Sequence, residues 1–427
     1  MPAEKFATWP RMLHLIALAL LAVSYWLGTT TRIDVMYDDG FYLALSQAIA
    51  SGDGYQRTWY LPSAWETTVP PAYAAMLAPI WWLFPDFPHN IPVFKLPNVG
   101  FALATVVLTH LTATRLFQFH GWQALLAAGL VAFSQLHIVF IDFTMIEVVL
   151  SCALTLSMLA LSLVLQRPNP PLWPNAWLVA VLAVGPCYLK KAAFPLLVAT
   201  SLWLALQRRW QLAVVATGWM AGLLLPWYVY RIALNYDVVQ AVTMVGARPV
   251  DTLTPLARMQ QNALELVSVS IPYSVTSVFG ALASLGPWVG PLMSVVVLLG
   301  LGWLTRRGPA LYALFVATYA FLIVVINTWD TLRFTLVLTP IIALAWVAAT
   351  TTPLARLLEG PSDRWHRAAW AAALCLALVP AGLVFWSAKR FVGIFLHPPY
   401  HDALLSPADR ESAEDFQALV AWERQQS

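Results

Sequence analysis

The sequence predicts an all-α polytopic membrane protein, and three observations predict it. Of the 427 residues, 60% are hydrophobic and only 11% are charged, less than half the charged fraction of an average soluble domain, about 25%. The apolar residues fall in runs of about 16 to 28, the length that crosses a hydrocarbon layer about 30 Å thick. Lysine and arginine gather in short clusters between the runs, as topology signals do.

The first run, Met12–Gly28, follows Lys5 and Arg11, and no small-x-small cleavage site precedes the polar stretch after it. It reads as a retained signal anchor. The further predicted spans are Val93–Arg115, Gly121–Phe140, Phe143–Gln166, Trp173–Leu189, Ala192–Gln207, Gln211–Val229, Ser277–Leu304, Pro309–Ile326, Phe334–Thr352 and Ala368–Ala388. Pro71–Phe84, at 14 residues, is short for a crossing and reads as re-entrant or interfacial. The bundle therefore has about 11 crossings, or 12 if that segment spans.

With Lys5 and Arg11 cytoplasmic, alternation puts Arg115, Arg167, Arg208–Arg209, Arg306–Arg307 and the Arg356–Arg367 loop on the same side, as the positive-inside rule requires. The outer side then receives Thr29–Pro70, the turn at Asp142, Lys190–Lys191, the long Tyr230–Thr276 loop and Asn327–Arg333. Trp59, Trp65, Trp81 and Trp82 suit an interfacial belt. Residues 1–390 read as one membrane domain, with a first outer loop over about 29–70. Residues 391–427 read as a short extracytoplasmic tail with one helix, opened by the Ser406-Pro407-Ala408-Asp409 cap pattern.

A net charge of +3 held in inter-span clusters excludes a nucleic-acid surface. Cys152, Cys187 and Cys375 lie inside apolar runs without ligand spacing and read as packing residues. Chemistry falls on the outer face. Tyr37-Asp38-Asp39-Gly40-Phe41-Tyr42 follows the first span. Adjacent carboxylates bind a divalent cation through oxygen, or split their pKa values so that one stays a base near neutral pH, or are plain solvated loop acids.

Glu147 sits inside an apolar helix near its outer end, where an unpartnered carboxylate costs about 2 to 3 kcal/mol and marks function by default. Lys190 and Lys191 stand on the face that should be poor in lysine, which an anionic ligand near the headgroups explains. Arg333 repeats the logic, with a guanidinium suited to paired contacts on phosphate oxygens; snorkelling to headgroups or pairing with Asp330 are its plain readings. His137 near an outer helix end reads as structural. A transporter or lipid flippase is the rival reading, but Lys95 and Glu147 are the only formal charges well inside the assigned spans and no half-repeat appears.

Several pieces come in a fixed order on this one face. They are Asp38-Asp39 with its aromatic continuation, Gly52-Asp53-Gly54-Tyr55, Pro70-Pro71-Ala72-Tyr73, Glu147, Leu189-Lys190-Lys191 and Arg333-Phe334. From Met12 to Thr352 the chain resembles the GT-C glycosyltransferases, in the branch of protein O-mannosyltransferases, aminoarabinose transferases and core galacturonosyltransferases. It departs from many relatives at Val69, where they have His before the proline pair.

The resemblance implies a GT-C bundle that moves a sugar, with inversion, from a polyprenyl-phosphate donor to a glycan, lipid or protein acceptor. The implied setting is the outer face of a bacterial inner membrane. It makes Asp38 or Asp39 the catalytic base, or the ligands of a divalent cation if one is used, with Glu147 supporting. Lys190, Lys191 and Arg333 then hold the donor phosphate, and Tyr42 and Tyr73 line the substrate site.

Overall fold

The computed structural model describes residues 4–29, 38–57, 64–66, 68–166, 171–234, 254–275, 286–325 and 331–358. The predicted span Ala368–Ala388, the tail helix after Ser406, Cys375 and Asp330 lie outside the described residues. Helix α1 covers Glu4–Leu27, α2 Asp38–Ser51, α3 Ala72–Leu83, α4 Ile91–Arg115, α5 Gly121–Ala132, α6 Gln135–Ile141, α7 Ile146–Leu165 and α8 Leu172–Val184. Then come α9 (Phe194–Leu206), α10 (Trp210–Ala233), α11 (Pro255–Glu265), α12 (Ile271–Val275), α13 (Val289–Arg307), α14 (Leu311–Val325), α15 (Thr331–Thr335) and α16 (Thr339–Leu358).

By length and composition α4, α7, α10, α13 and the Thr331–Thr352 stretch can each cross a membrane. Exposed Val214 on α10 and Leu299 on α13 show the faces these two helices turn outward. Burial separates centre from rim. In α7 and in Thr331–Thr352, 78% of the apolar window is buried, against 28% in α10, so the two central helices are the ones that carry Glu147 and Arg333.

Several expectations change. The predicted span Gly121–Phe140 is two helices, α5 and α6, bent by 48°; Ser134 adopts an extended backbone between them, which no helix can continue through. The predicted spans Trp173–Leu189 and Ala192–Gln207 are shorter α-helices whose facing ends tighten into 3₁₀ turns, Gly185–Tyr188 and Lys191–Ala193. The first outer loop contains α2, whose buried Tyr42, Leu43, Leu45, Ser46 and Ala48 recur at helical spacing and pack on α3. The region read as one long loop, Tyr230–Thr276, holds α11 and α12 joined by a π-turn, with Thr254 Oγ1 accepting from the Ala257 amide at 3.2 Å as an N-cap.

Helix α2 ends in Gly52 and Gly54, at φ +85° and +84°, a conformation that favours glycine. A Cβ on Gly54 would lie 2.9 Å from the Trp65 ring. The Gly52-Asp53-Gly54-Tyr55 motif is thus a helix stop feeding a two-residue antiparallel hairpin, β1 (Gln56–Arg57) on β2 (Ala64–Trp65).

In lipid, apolar burial between helices supplies little drive, so close backbone approach matters more. At the α13–α16 crossing a Cβ on Gly300 would stand 1.8 Å from the Ala345 carbonyl oxygen, whereas one on Gly302 would meet nothing within 4 Å. Gly300→Ala is expected to destabilise the bundle by about 1–3 kcal/mol, with Gly302→Ala neutral, read as thermal unfolding of purified protein in detergent.

Candidate active site

Glu147 is in the first turn of α7, because Met145 has an extended backbone and ends the preceding turn. There the carboxylate faces the positive end of the helix dipole. Only 2% of its side chain is exposed, and its Oε1 accepts from both Lys190 Nζ and Arg333 Nε. The three residues come from separate elements, 43 and 186 residues apart in sequence from the carboxylate. Lys190 lies between the two 3₁₀ turns and Arg333 on the short α15.

The exposures are unequal in a telling direction. Lys190 keeps 19% and Arg333 15% of the side chain exposed, while the acid behind them is buried. Lys190 Nζ also stands 5.2 Å from the Phe334 ring centroid, a distance at which a ring face attracts a cation. Two cations thus share one carboxylate oxygen. Glu147 Oε2 is buried without a hydrogen-bond partner among the described residues.

Lys191 belongs to a different setting. Lys190 is extended (φ −152°, ψ 139°), so successive side chains leave on opposite sides. Burial pushes the Lys191 ammonium down to about 8; the positive charge of Arg231 adds to the effect and Glu66 opposes it. Arg231 is buried in the last turn of α10. Glu66 is fully buried, and its carboxylate takes the Val69 amide at 3.0 Å as well as the Thr68 amide and hydroxyl. Tyr230 OH donates to the Glu66 carbonyl at 3.3 Å, tying α10 to this segment. Neither Arg231 nor Glu66 was anticipated from the sequence, though both are charges in predicted outer segments.

The acidic pair opens α2, but the side chains of Asp38 and Asp39 lie outside the described residues, and the question of a metal rests with them. Among the described residues no three His, Cys, Asp or Glu side chains come together as metal ligands. Tyr73 is fully buried with its hydroxyl donating to Asn98 Oδ1 at 3.2 Å, and Tyr42 meets its ring edge-on at 4.9 Å between centroids. His137 is fully buried, with no hydrogen-bond partner for either ring nitrogen among the described residues. Lys95 and Asp142, seen in the sequence only as separate charges, form a buried pair at 2.8 Å.

No protein-family model and no curated protein matches the sequence. Solved structures do match. ArnT from Cupriavidus metallidurans in the apo state aligns at TM-score 0.56 and 15% identity over 91% of this chain and 76% of that one. The same protein bound to undecaprenyl phosphate aligns at TM-score 0.53, with 14% identity over 90% of this chain and 75% of that one. The Archaeoglobus fulgidus oligosaccharyltransferase aligns at 0.54, with 14% identity over 88% of this chain but only 56% of that one. Both are GT-C glycosyltransferases. This chain has the GT-C fold. The expected fold class, an all-α membrane bundle of GT-C type, is thereby borne out.

Removing one member of a buried ion cluster leaves the others uncompensated in a low dielectric. Glu147→Gln strands two cations and is expected to cost about 3 kcal/mol of stability. Lys190→Met and Arg333→Met each leave a pair intact and are expected to cost no more than about 1 kcal/mol. Thermal unfolding of the three variants in one detergent gives the order; Glu147→Gln ranking with the other two contradicts it.

Proposed function

We propose that the chain is an integral membrane glycosyltransferase that moves a sugar, with inversion, from a polyprenyl-phosphate donor to an acceptor on the extracytoplasmic face of a bacterial inner membrane. The observation that carries the reading is the inequality of exposure at the cluster. Two accessible cations are held in place by an acid that ligands do not reach, a good arrangement for gripping a phosphate. The GT-C fold supports it, and ArnT, one of the proteins sharing that fold, has been captured with undecaprenyl phosphate.

In the transfer, Asp38 or Asp39 takes the proton from the acceptor nucleophile as its lone pair forms the bond to the anomeric carbon. The bond from that carbon to the phosphate oxygen breaks on the opposite side, and its electron pair leaves with the polyprenyl phosphate. Charge grows on the phosphate oxygens, where Lys190 and Arg333 stabilise it. A phosphate is a good leaving group, so no general acid is required for its departure. Lys191, beside Arg231, contributes positive charge on the neighbouring side. The acceptor is a glycan, lipid or protein hydroxyl or amine.

Transfer from a panel of polyprenyl-phosphate sugars by the purified protein, with membrane-extract acceptors and free polyprenyl phosphate as the readout, tests the function. A positioned base contributes about 10²–10⁴-fold. Loss of that order is expected in Asp38→Asn or Asp39→Asn with thermal stability retained, and full turnover in both variants removes the loop base from the mechanism.

The lowered Lys191 pKa sets a second expectation. Its ammonium loses the proton as pH rises through about 8, so affinity for polyprenyl phosphate is expected to fall across pH 7 to 9, and Lys191→Met to flatten that slope. An unchanged slope in the variant assigns the titration to another group.

A further inference from the structure

The turn that delivers Glu147 is held from one side by buried polar groups that the proposed chemistry does not use. Asn98, on α4, donates from Nδ2 to the carbonyls of Phe143 at 2.6 Å and Met145 at 3.0 Å. Those carbonyls belong to the break between α6 and α7, where the backbone has no helical partner to offer. The orientation of the amide is set from behind, since Tyr73 OH donates to its Oδ1. One helical turn away on α4, Lys95 Nζ holds Asp142 Oδ1 at 2.8 Å, with side-chain exposures of 1% and 6%. Asn98 is fully buried.

A buried ion pair is a poor source of stability, because desolvation offsets most of the attraction and apolar residues of equal volume do as well. What it supplies is a fixed distance and direction. Asp142 and Met145 bracket the turn, and Glu147 follows two residues later. Both ties therefore fix where α7 begins, and with it where the carboxylate stands between Lys190 and Arg333.

We propose that Asn98, seconded by the Lys95–Asp142 pair, is the positioning device for the Glu147–Lys190–Arg333 cluster, so that α4 sets the geometry of the phosphate grip without touching the ligand. This rests on the reading of that cluster as the donor-phosphate site. Residue misplacement of the order of 1 Å costs about 10²-fold in a reaction, and more modestly in binding.

A double-mutant cycle between Asn98→Leu and Glu147→Gln tests it on the purified full chain, with two readouts: the thermal midpoint and binding of undecaprenyl phosphate. If Asn98 acts through Glu147, the two changes are coupled although the side chains belong to different helices. Asn98→Leu then weakens undecaprenyl phosphate binding by about tenfold in the parent and by less than about twofold in the Glu147→Gln background. The midpoint shifts are likewise less than additive. Additive midpoint shifts overturn the proposal and leave Asn98 a fold residue only.

Absence of undecaprenyl phosphate binding by the parent protein instead counts against the donor-site reading, while the midpoint cycle still decides the positioning. If Asn98→Leu does not fold, Lys95→Met/Asp142→Leu takes its place in the same cycle, under the same criteria.

Discussion

A single carboxylate oxygen shared by two cations is the constraint on which this structure turns. Glu147, Lys190 and Arg333 are charged groups drawn from three elements into the end of an apolar bundle. Each alone would be expensive there. Together they are compatible with burial only if the start of α7, the Lys190 link between α8 and α9, and α15 stay in register. The requirement explains why the central positions go to α7 and the Thr331–Thr352 stretch, the most buried of the apolar spans. It also explains why Lys190 sits in an extended link between two 3₁₀ turns and not within a helix.

Elsewhere several buried hydroxyls of the bundle are satisfied locally, the solution that lipid favours. Thr105, Thr109, Thr155 and Thr350 return their hydroxyls to the carbonyl four residues earlier, at 2.7 to 2.8 Å, so these buried hydroxyls make no demand on neighbouring helices. Long-range polar contacts recur at breaks in the helices, at Asp142–Met145, the Glu66–Val69 turn and the Lys190 link. Sites built at breaks need bracing, and the break before α7 has it in the two hydrogen bonds from Asn98 of α4.

The spans were legible because composition and run length report directly on the solvent. Glu147 stood out in the sequence as a lone acid in an apolar run, and Lys190 as a lysine on a face predicted to be poor in lysine, and the structure brings the two together. Their pairing was not legible: contacts across 43 and 186 residues leave no local pattern. Helix α2 was hidden because its apolar face is too narrow to read as a span, although its helical spacing was present. The helix over Pro255–Val275 was announced by Thr254-Pro255, an N-cap followed by proline, inside a region whose polarity pointed to a loop. Asn98 gave no signal, since a neutral amide within an apolar helix has the same appearance whether it braces a turn or merely packs.

Under the proposed function, the same constraint divides labour between the acids. Protonating Glu147 would leave Lys190 and Arg333 facing each other across a low-dielectric gap, so its negative charge is locked by the partners it holds. A group in that position orients cations and tempers their charge; it is a poor destination for a proton that must arrive and leave on every turnover. The base then has to come from a carboxylate not committed to the cluster. In that reading the base is drawn from the acidic pair that opens α2, whereas Glu66, engaged by three donors of its own turn, is unsuited to the task. In the proposed mechanism, the buried acid fixes where the phosphate sits, and the acidic pair acts on the acceptor that approaches it.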